Sequence, residues 1–461
     1  LDLSARNDWS STLPTANNSY FYPAASASMI VSEMVDLGAI SFLKVRAAVA
    51  AVGSDTDPYL LNNTYSPAAM FGGYPAFGIN TFATNPDLRP ERTNSSELGI
   101  DARFAKGRFG MDLAVYDMTT EDQIIYLPVA TSTGRTSRLA NGGAIRNRGV
   151  ELQLFGDIVK NDKLTWNSRI NLGANRAVVT KLPAGVSGGY PIVASMFPND
   201  GGTVGLEYVA VEGELLGQLK GLTFMRDAGD NIIHQDGLPM VSEEKSTIGS
   251  YQPKARIGWM NSFSVGNWQA NILFDGQIGG LIYSRSHTLH NTAGNLVNDN
   301  DPHLDMNAID GRVVYGVDYD SNGEPVYNLD QEGGVVGSGV MYDASGNLVP
   351  NTVSVPIRDY YYKYYGNVWS RDNIQPSTFD ASYLKLRQLS IAYTVPAEKL
   401  ANTGLKGLTV SFVGRNLLLF TKVPTIDPET YSIRNGLFVN GYESTSMPSL
   451  RSFGFSINAN L

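Results

Sequence analysis

The chain has 461 residues, of which 35 are Lys or Arg and 44 are Asp or Glu, and its formal net charge is −9. This acidic balance, with no block of Lys and Arg, argues against a nucleic-acid-binding protein. Cysteine is absent, which excludes disulfides and thiolate metal sites, and the combination of 17% charged residues with 47 Gly and 24 Tyr favours a β-rich protein.

Segments in which apolar and polar residues alternate recur along the chain, as expected for strands with one apolar face. The alternation is clearest in RFGMDLAVYD (108–117), LTWNSRINLGAN (164–175) and WQANILFDGQ (268–277). No segment carries a sustained helical stripe, so no helix is predicted. About twelve long strands are predicted, near 1–7, 21–32, 42–53, 94–105, 109–126, 146–157, 164–178, 254–264, 268–282, 382–394, 408–419 and 450–461.

The connections between these strands alternate in length. Three are short, at 105–107, 159–163 and 265–267. The long ones cover 54–93, 127–145, 179–253, 283–381 and 420–449. Within them, DYDSNGEPVY and MYDASGNLVPN predict small hairpins, and 205–250 predicts a hairpin or a loop excursion. Many of the long strands match the roughly 9–11 residues of a tilted membrane-spanning strand, and short turns at one end with long loops at the other are typical of an outer-membrane β-barrel.

A soluble β-sandwich or β-helix would also show alternation. The length of the strands, and polar faces made of Asn, Ser, Gly, Gln and Thr, favour the membrane barrel instead. Aromatic residues also collect at the strand ends, as in interfacial girdles. They are Trp9, Tyr20, Phe21, Tyr22, Trp166, Trp268, Tyr393 and Phe420. The predicted fold class is therefore all-β, a transmembrane antiparallel β-barrel with long extracellular loops.

Several stretches resemble a known family. NPDLRPERTNSSELGIDARF (85–104) is similar to the Asn-Pro-x-Leu-x-Pro-Glu stretch that precedes a strand in TonB-dependent outer-membrane receptors. Five more resemble the SusC/RagA branch of those receptors: ARNDWSSTLP, FLKVRAAVAAVG, GGAIRNRGVELQL, DASYLKLRQLSIAYTVP and VGRNLLLFTKVPTIDPE. These stretches follow the family order from the first residues to the last, so the resemblance covers the whole chain.

The resemblance implies a nutrient importer of the bacterial outer membrane rather than an enzyme, without a cofactor. Such a transporter has a 22-stranded barrel, an N-terminal plug, a SusD-like surface lipoprotein partner, and the inner-membrane TonB complex as its energy source. Its cargo is an oligosaccharide or, in some members, a peptide. Residues 1–461 would form the C-terminal portion of that barrel, about 12 strands, with the plug domain and first strands outside this chain.

Two other functions are compatible with the residues alone. One is a surface-binding or adhesin barrel that transports nothing and acts through its long loops. The other is a soluble secreted β-protein. In the importer and in the adhesin barrel alike, the apolar alternate positions of the last strand would contact outer-membrane lipid. They include Phe453, Phe455 and Ile457.

Histidine offers little sign of a metal or catalytic site. The chain has four, namely His234, His287, His290 and His303. The HTLH stretch places two of them three residues apart, but it lacks the Glu of a metalloprotease motif. All four are interpreted as solvated loop residues, and no catalytic residue is assigned.

One stretch resembles the start of a calcium-binding loop. DYDSNGE presents Asp318, Asp320 and Asn322 ahead of a glycine, but Leu329 occupies the position at which that motif needs a bidentate Glu. A hairpin turn explains the same residues, and it is the favoured interpretation.

Aromatic residues are concentrated in RDYYYKYYGNVWS (358–370), which is predicted to be a loop. Aromatic rings stack on sugars and also anchor protein interfaces, so this segment is a candidate for contact with substrate or partner. Packing of the rings within a large loop is the alternative. The residues concerned are Tyr360, Tyr361, Tyr362, Tyr364, Tyr365 and Trp369.

Overall fold

One antiparallel sheet of 12 strands dominates the computed structural model. The structure describes residues 1–193, 205–292, 317–319, 325–327, 336–355, 357–366, 373–430, 432–434 and 437–460. In chain order, the strands of the large sheet are β1 (Asp2–Trp9), β2 (Ser19–Ile30), β3 (Ile40–Ser54), β4 (Glu91–Phe104), β5 (Phe109–Glu121), β6 (Ala144–Lys160), β7 (Thr165–Lys181), β8 (Ala255–Val265), β9 (Trp268–Ile278), β10 (Tyr383–Thr394), β11 (Gly407–Thr421) and β12 (Ser452–Asn460). Each pairs with the next in sequence, which confirms the predicted strands to within a few residues.

The register of the sheet gathers the apolar alternate residues on one face. Val115 on β5, for example, lies opposite Leu98 on β4 and Val150 on β6. Facing residues of paired strands project to the same side, so the apolar row continues from strand to strand. At the far edge Phe455 and Ile457 share this face and are 80% and 69% exposed. We call it the convex face. A continuous exposed apolar surface of this kind is what a lipid-facing barrel wall requires.

The connections have the predicted asymmetry. Residues 105–108, 161–164 and 266–267 form tight turns at one end of the sheet. At the first of these, Ala105, Lys106 and Gly107 all have positive φ, between 50° and 82°, which closes the hairpin in a few residues. The long connections lie at the other end, at 55–90, 122–143, 182–254, 279–382 and 422–451.

The long connections fold into small sheets. The hairpins predicted around 317–327 and 340–350 are confirmed by the antiparallel pairs Val317–Tyr319 with Pro325–Tyr327 and Val340–Tyr342 with Leu348–Pro350. The 205–250 excursion contributes to a four-stranded sheet. The strands in these connections are Tyr65–Phe71, Tyr74–Ile79, Phe82–Ala83, Ile124–Pro128, Ser137–Asn141, Tyr190–Val193, Glu207–Ala210, Gln218–Gly221, Ile233–Gln235, Leu238–Pro239, Ser246–Ser250, Leu281–Ser284, Val317–Tyr319, Pro325–Tyr327, Val340–Tyr342, Leu348–Pro350, Thr378–Asp380, Ser432–Arg434, Leu437–Val439 and Tyr442–Glu443.

Helices also form, contrary to the prediction of none. They are α1 (Arg285–Thr292), α2 (Ile357–Tyr364), α3 (Ala397–Leu400) and the 3-10 turns Val31–Glu33, Thr131–Thr133 and Gln375–Ser377. The longest have eight residues, too few to display a periodic stripe, so tertiary packing decides their conformation. No helix in the described part of the chain is long and apolar enough to cross a bilayer.

The hydrophobic core lies in the long connections rather than in the sheet. Leu206, Tyr208, Leu219 and Ile374 belong to one cluster, and each of these four side chains is at most 2% exposed. Tyr360 and Tyr364 belong to a second cluster, in which no buried side chain is more than 8% exposed. Because the sheet exposes both of its faces, these clusters are what give the loops a fixed shape above it.

Aromatic residues mark the strand ends on the convex face. Near the tight turns, Trp166 stacks on Phe263 with ring centroids 5.6 Å apart, and Trp268 packs on Tyr393 at 4.8 Å. Two members of the predicted girdle do not belong to it. Tyr20 and Tyr22 project to the opposite face, because they lie opposite Asp8 and Arg6 in the register, on the alternate parity from Leu3.

Candidate functional site on the concave face

The face opposite the apolar surface is concave and polar. A cavity of about 550 Å³ lies against it and touches β3, β5, β6, β7, β8 and β9, so the sheet curves around this space. The polar side chains that line it are Arg46, Asp112, Glu151, Gln153, Asn171, Arg256 and Asp275. Arginine, carboxylate and carboxamide groups are thus presented together by rigid strands.

An ion pair spans two strand intervals within this cavity. The Arg46 guanidinium on β3 donates to both carboxylate oxygens of Asp112 on β5, at 2.9 and 3.1 Å. It passes over β4 at Gly99, where a Cβ would lie 2.3 Å from the Arg46 Nε. A side chain at that position would therefore push the guanidinium away from Asp112. Bidentate pairing holds Arg46 in one orientation toward the cavity.

A tyrosine crosses its neighbouring strand in the same way. Tyr116 on β5 lies over Gly149 on β6, and its hydroxyl donates to Asn175 on β7 at 3.1 Å. A Cβ on Gly149 would be 2.2 Å from the ring. Tyr116 and Asn175 line a second cavity of about 340 Å³, which Tyr251 and Gln252 of the loop 182–254 border from above. The concave face therefore continues upward into the loops.

Buried charges join the sheet to a loop at its upper end. Lys385 on β10 donates to both oxygens of Asp427 at 2.6 and 2.7 Å and also pairs with Glu429. Arg387 donates to Glu429 at 2.5 Å and pairs with Asp275. Burial alone would raise the pKa of Glu429, but hydrogen bonds from Arg387 and Lys385 lower that pKa to about 2. Asp427 and Glu429, in the first part of the loop 422–451, are thereby fixed at the mouth of the concave face.

This arrangement can bind polar molecules of either charge. It presents hydrogen-bond donors from Arg46 and Arg256, acceptors from Asp112 and Asp275, and amides from Gln153 and Asn171. Within the described residues, no group of three or more His, Asp or Glu side chains could hold a metal ion. The chemistry on offer is recognition of a hydrophilic ligand inside the curve of the sheet.

Comparison with known proteins identifies the fold. A family described as TonB dependent receptor-like, beta-barrel matches residues 1–251, more than half of the chain. The chain belongs to this family. TonB-dependent receptors are outer-membrane proteins, so the convex face is the lipid-facing wall and the soluble alternative is ruled out.

This TonB-dependent receptor is similar to several named relatives. It is 25% identical to TonB-dependent receptor P26 of Formosa agariphila, over 99% of this chain and 44% of the relative. Over 41% of this chain and 20% of the relative, it is 24% identical to TonB-dependent receptor SusC of Bacteroides thetaiotaomicron. It also matches the structure of the RagAB peptide transporter with a TM-score of 0.69 at 18% identity, over 99% of this chain and 45% of that one.

The chain spans less than half the length of these relatives, 44% of P26 and 45% of the RagAB chain. The match therefore describes about twelve strands of a receptor and the loops between them. The structure assigns those strands, their order and their facing directly.

Two of the receptor's histidines contradict the interpretation as solvated loop residues. His234 and His287 are 1% and 4% exposed. The Nε2 of His287 accepts a hydrogen bond from the Asn291 amide at 3.1 Å, and its Nδ1 lies 3.0 Å from the Ser377 hydroxyl. Burial, with a smaller contribution from His290, lowers the pKa of His287 to about 4. Each ring is a polar core residue. His290 is exposed as expected, and His303 lies outside the described residues.

The first part of the tyrosine-rich segment, residues 358–364, is helical rather than a loop. Four of its rings are buried, with Tyr360, Tyr361, Tyr364 and Tyr365 between 0% and 8% exposed. Tyr360 lies 3.2 Å from the Nε2 of His234, so the segment packs into the loop core. Tyr362 is half-buried. Contact with substrate or partner stays a prediction for these tyrosines, and Trp369 lies outside the described residues.

The weak calcium-loop candidate falls largely outside the described residues. Asp318 lies in the strand Val317–Tyr319, while Asp320 and Asn322 are not described. The paired strands on either side are those of the predicted hairpin. Calcium binding at this turn stays a prediction.

The lining residues of the concave cavity escaped the sequence analysis as a set. Arg46, Asp112 and Asp275 occur singly in separate strands, and only pairing brings them to one face. Each does fall at a polar alternate position, which is the one signal that could have selected it.

Proposed function

We propose that the protein containing this chain imports a hydrophilic nutrient across the outer membrane. The observation that carries the proposal is the concave cavity, in which Arg46, Asp112 and Arg256 face a water-accessible space behind a lipid-facing wall. A polar ligand moving along this face would exchange hydrogen bonds with water for hydrogen bonds with rigid side chains, so its passage needs no apolar barrier to be crossed. This role is one of transport rather than catalysis.

The chain would supply the C-terminal portion of a closed barrel. In the large sheet β1 and β12 have one neighbour each, and all nine residues of β12 are exposed. An unpaired edge in lipid leaves backbone groups unsatisfied at a cost of several kcal/mol each. Strands from the rest of the protein would pair with both edges, and a plug domain would occupy the enclosed space.

Transport through a plugged barrel requires energy and a capture step. The TonB complex of the inner membrane would supply the energy by acting on the plug. A SusD-like surface lipoprotein would capture the cargo above the loops, as a comparable partner would in the RagAB arrangement. The hairpin of Tyr65–Phe71 and Tyr74–Ile79 supports a protein partner, because Phe71 and Phe77 are 85% and 66% exposed and the stretch 58–86 has no charged residue.

The proposed cargo is a peptide or an oligosaccharide. Both molecules are hydrophilic, and both can bind a lining that mixes guanidinium, carboxylate and amide groups. Paired charges such as Arg46 with Asp112 suit the ammonium and carboxylate termini of a peptide, while Gln153 and Asn171 suit hydroxyl groups. The lining therefore supports a hydrophilic oligomer as cargo, and the experiment below distinguishes a peptide from an oligosaccharide.

Uptake by cells tests the proposal. Cells expressing the complete protein are supplied with a mixture of peptides and, separately, of oligosaccharides, and depletion from the medium is followed by mass spectrometry. Depletion of one class should require both this protein and TonB. Depletion that continues at the same rate in cells without TonB would contradict the proposal, as would equal depletion by cells without the protein.

A further inference from the structure

A row of charged residues crosses the convex face where the apolar surface ends. Asp117 on β5 lies opposite Arg148 on β6, which in turn lies opposite Arg176 on β7. Just below, the same three strands carry Val115, Val150 and Ala174. The row is thus an abrupt change from apolar to charged on the surface that faces lipid.

The height of this row places it at the outer headgroups. Trp166, in the aromatic layer near the tight turns, and Arg176 lie on the same strand and the same face, ten residue steps apart. At about 3.3 Å per residue and a strand tilt of about 40°, ten steps rise roughly 25 Å, the height of the apolar band of an outer-membrane barrel. Since the long loops mark the extracellular end, the charged row meets the outer leaflet.

The charged row, together with Arg146 above it on β6, carries excess positive charge. Arg146 donates to Asp117 at 2.9 Å through Nε, and Arg148 donates to the same carboxylate at 3.0 Å. Two guanidinium groups therefore share one carboxylate, and Arg176 adds a third positive charge beside them. No partner for Arg176 is found among the residues that the structure describes, and its side chain is exposed. The next acidic residue on this part of the convex face is Glu121. It lies four residues beyond Asp117 on β5, closer to the loops, and is opposite Arg92 on β4.

The juxtaposition of Arg148 and Arg176 is only partly offset by Asp117, because that carboxylate is shared with Arg146. Like charges directly across a strand pair destabilise a sheet. An oxyanion between them would reverse that cost, because each guanidinium can donate two parallel hydrogen bonds to phosphate oxygens. The apolar rows directly below would contact the acyl chains of the same molecule.

We propose that Arg148 and Arg176, supported by Arg146 and Asp117, bind the phosphorylated headgroup of an outer-leaflet glycolipid. Arg148 and Arg176 contact the phosphate from two adjacent strands. Asp117 holds Arg146 and Arg148 upright at the edge of the membrane. The site is on the outer wall, separate from the concave cavity, so it does not depend on the proposed transport.

The test measures lipid binding by the complete protein in detergent, using native mass spectrometry. The probes are diphosphorylated lipid A, the same lipid after dephosphorylation, and inorganic phosphate as a competitor. The parent is compared with the double variant Arg148→Gln/Arg176→Gln. The matched control is Arg169→Gln, which removes an exposed guanidinium from the other face of β7.

The parent and the Arg169→Gln control should retain the phosphorylated lipid. The double variant should bind it at least about tenfold more weakly, as expected for the loss of charge-assisted hydrogen bonds. The double variant Arg148→Lys/Arg176→Lys, which keeps the charge, should fall between them and shows that folding is intact. Equal binding by the Gln variant, equal binding of the dephosphorylated lipid, or displacement by inorganic phosphate at equimolar concentration would each overturn the proposal.

Discussion

Lys385 and Asp427 form an ion pair that water barely reaches, with side chains 3% and 7% exposed and N–O distances of 2.6 and 2.7 Å. Lys385 lies on β10, and Asp427 lies in the loop that follows β11. Removing one partner from such a pair leaves the other charge buried, which costs far more than the loss of a surface ion pair.

Lys385→Met should therefore release the loop 422–451. The expected cost is about 3–5 kcal/mol, because Asp427 would lose its buried partner and Glu429 one of its cations. Lys422→Met is the matched control, since Lys422 is 76% exposed and lies 3.4 Å from Asp380, a geometry worth at most about 1 kcal/mol. Amide hydrogen exchange over 422–430 measures the difference. Equal protection in the two variants would contradict the prediction.

Gly149→Ala should disturb the concave face. The new Cβ would lie 2.2 Å from the ring of Tyr116, so the ring must leave Asn175. The expected destabilisation is about 1–3 kcal/mol. Gly173→Ala is the control, because a Cβ there meets nothing within 4 Å. Denaturant unfolding in lipid vesicles gives the free energies. The same substitution in a Tyr116→Ala background should cost little, and an undiminished cost there would show that Tyr116 is not the cause.

Phe455→Lys should destabilise the barrel from its convex face. Phe455 is 80% exposed, and its ring packs on Phe412 at 5.5 Å. A lysine on the lipid face costs about 2–4 kcal/mol near the bilayer midplane. Ser456→Lys, one residue further on, places the same charge on the opposite face and should cost much less. Heat-dependent mobility in SDS gels compares the two. A Phe455→Lys barrel as heat-resistant as the parent would mean that the assigned facing is wrong.

Acid should weaken the packing of α1. The pKa of His287 is lowered to about 4 by burial, whereas an unfolded histidine titrates near 6.5. The unfolded segment therefore binds the extra proton first, and stability falls as the pH drops from about 6.5 to 4, by up to about 3 kcal/mol. Above pH 7 this histidine is neutral in both states and contributes no pH dependence.

Hydrogen exchange of α1, corrected for the intrinsic rate at each pH, measures this effect. His287→Gln keeps a polar side chain at the site and should flatten the profile between pH 6.5 and 4. Glu429 acts in a different range, because its pKa of about 2 affects stability only below about pH 4.5. A parent profile that is already flat between pH 6.5 and 4 would disprove the assignment.

The strands of the wall were predictable because each carries its own signal. Alternation along RFGMDLAVYD or WQANILFDGQ needs no knowledge of the neighbouring strand, and parity then gives the face. The two failures within the wall, Tyr20 and Tyr22, come from assigning residues by proximity to a strand end rather than by parity. Register, which aligns Arg148 with Asp117 and Arg176, is invisible until the strands are paired.

The short helices and buried polar residues of the loops were not predicted, because they depend on long-range contacts, whereas the local hairpins were. The short helices α1 and α2 contact each other, and His287 on α1 reaches Ser377, which is 90 residues away in sequence. Because His234 is polar and lies in a predicted loop, it was expected to be exposed to solvent. Burial with hydrogen-bond partners is a property of the assembled loop core, so single segments could not reveal it.

The order of the sheet has a consequence for biogenesis. Every strand from β1 to β12 pairs with the wall strand that precedes or follows it along the chain, so no pairing within the described wall skips over another wall strand. Sequence separation between paired strands is small at the tight turns and large where the connections 182–254 and 279–382 intervene. The wall can therefore enter the membrane in chain order, with each new strand edge serving as the template for the next strand, until β1 and β12 are the edges that are left.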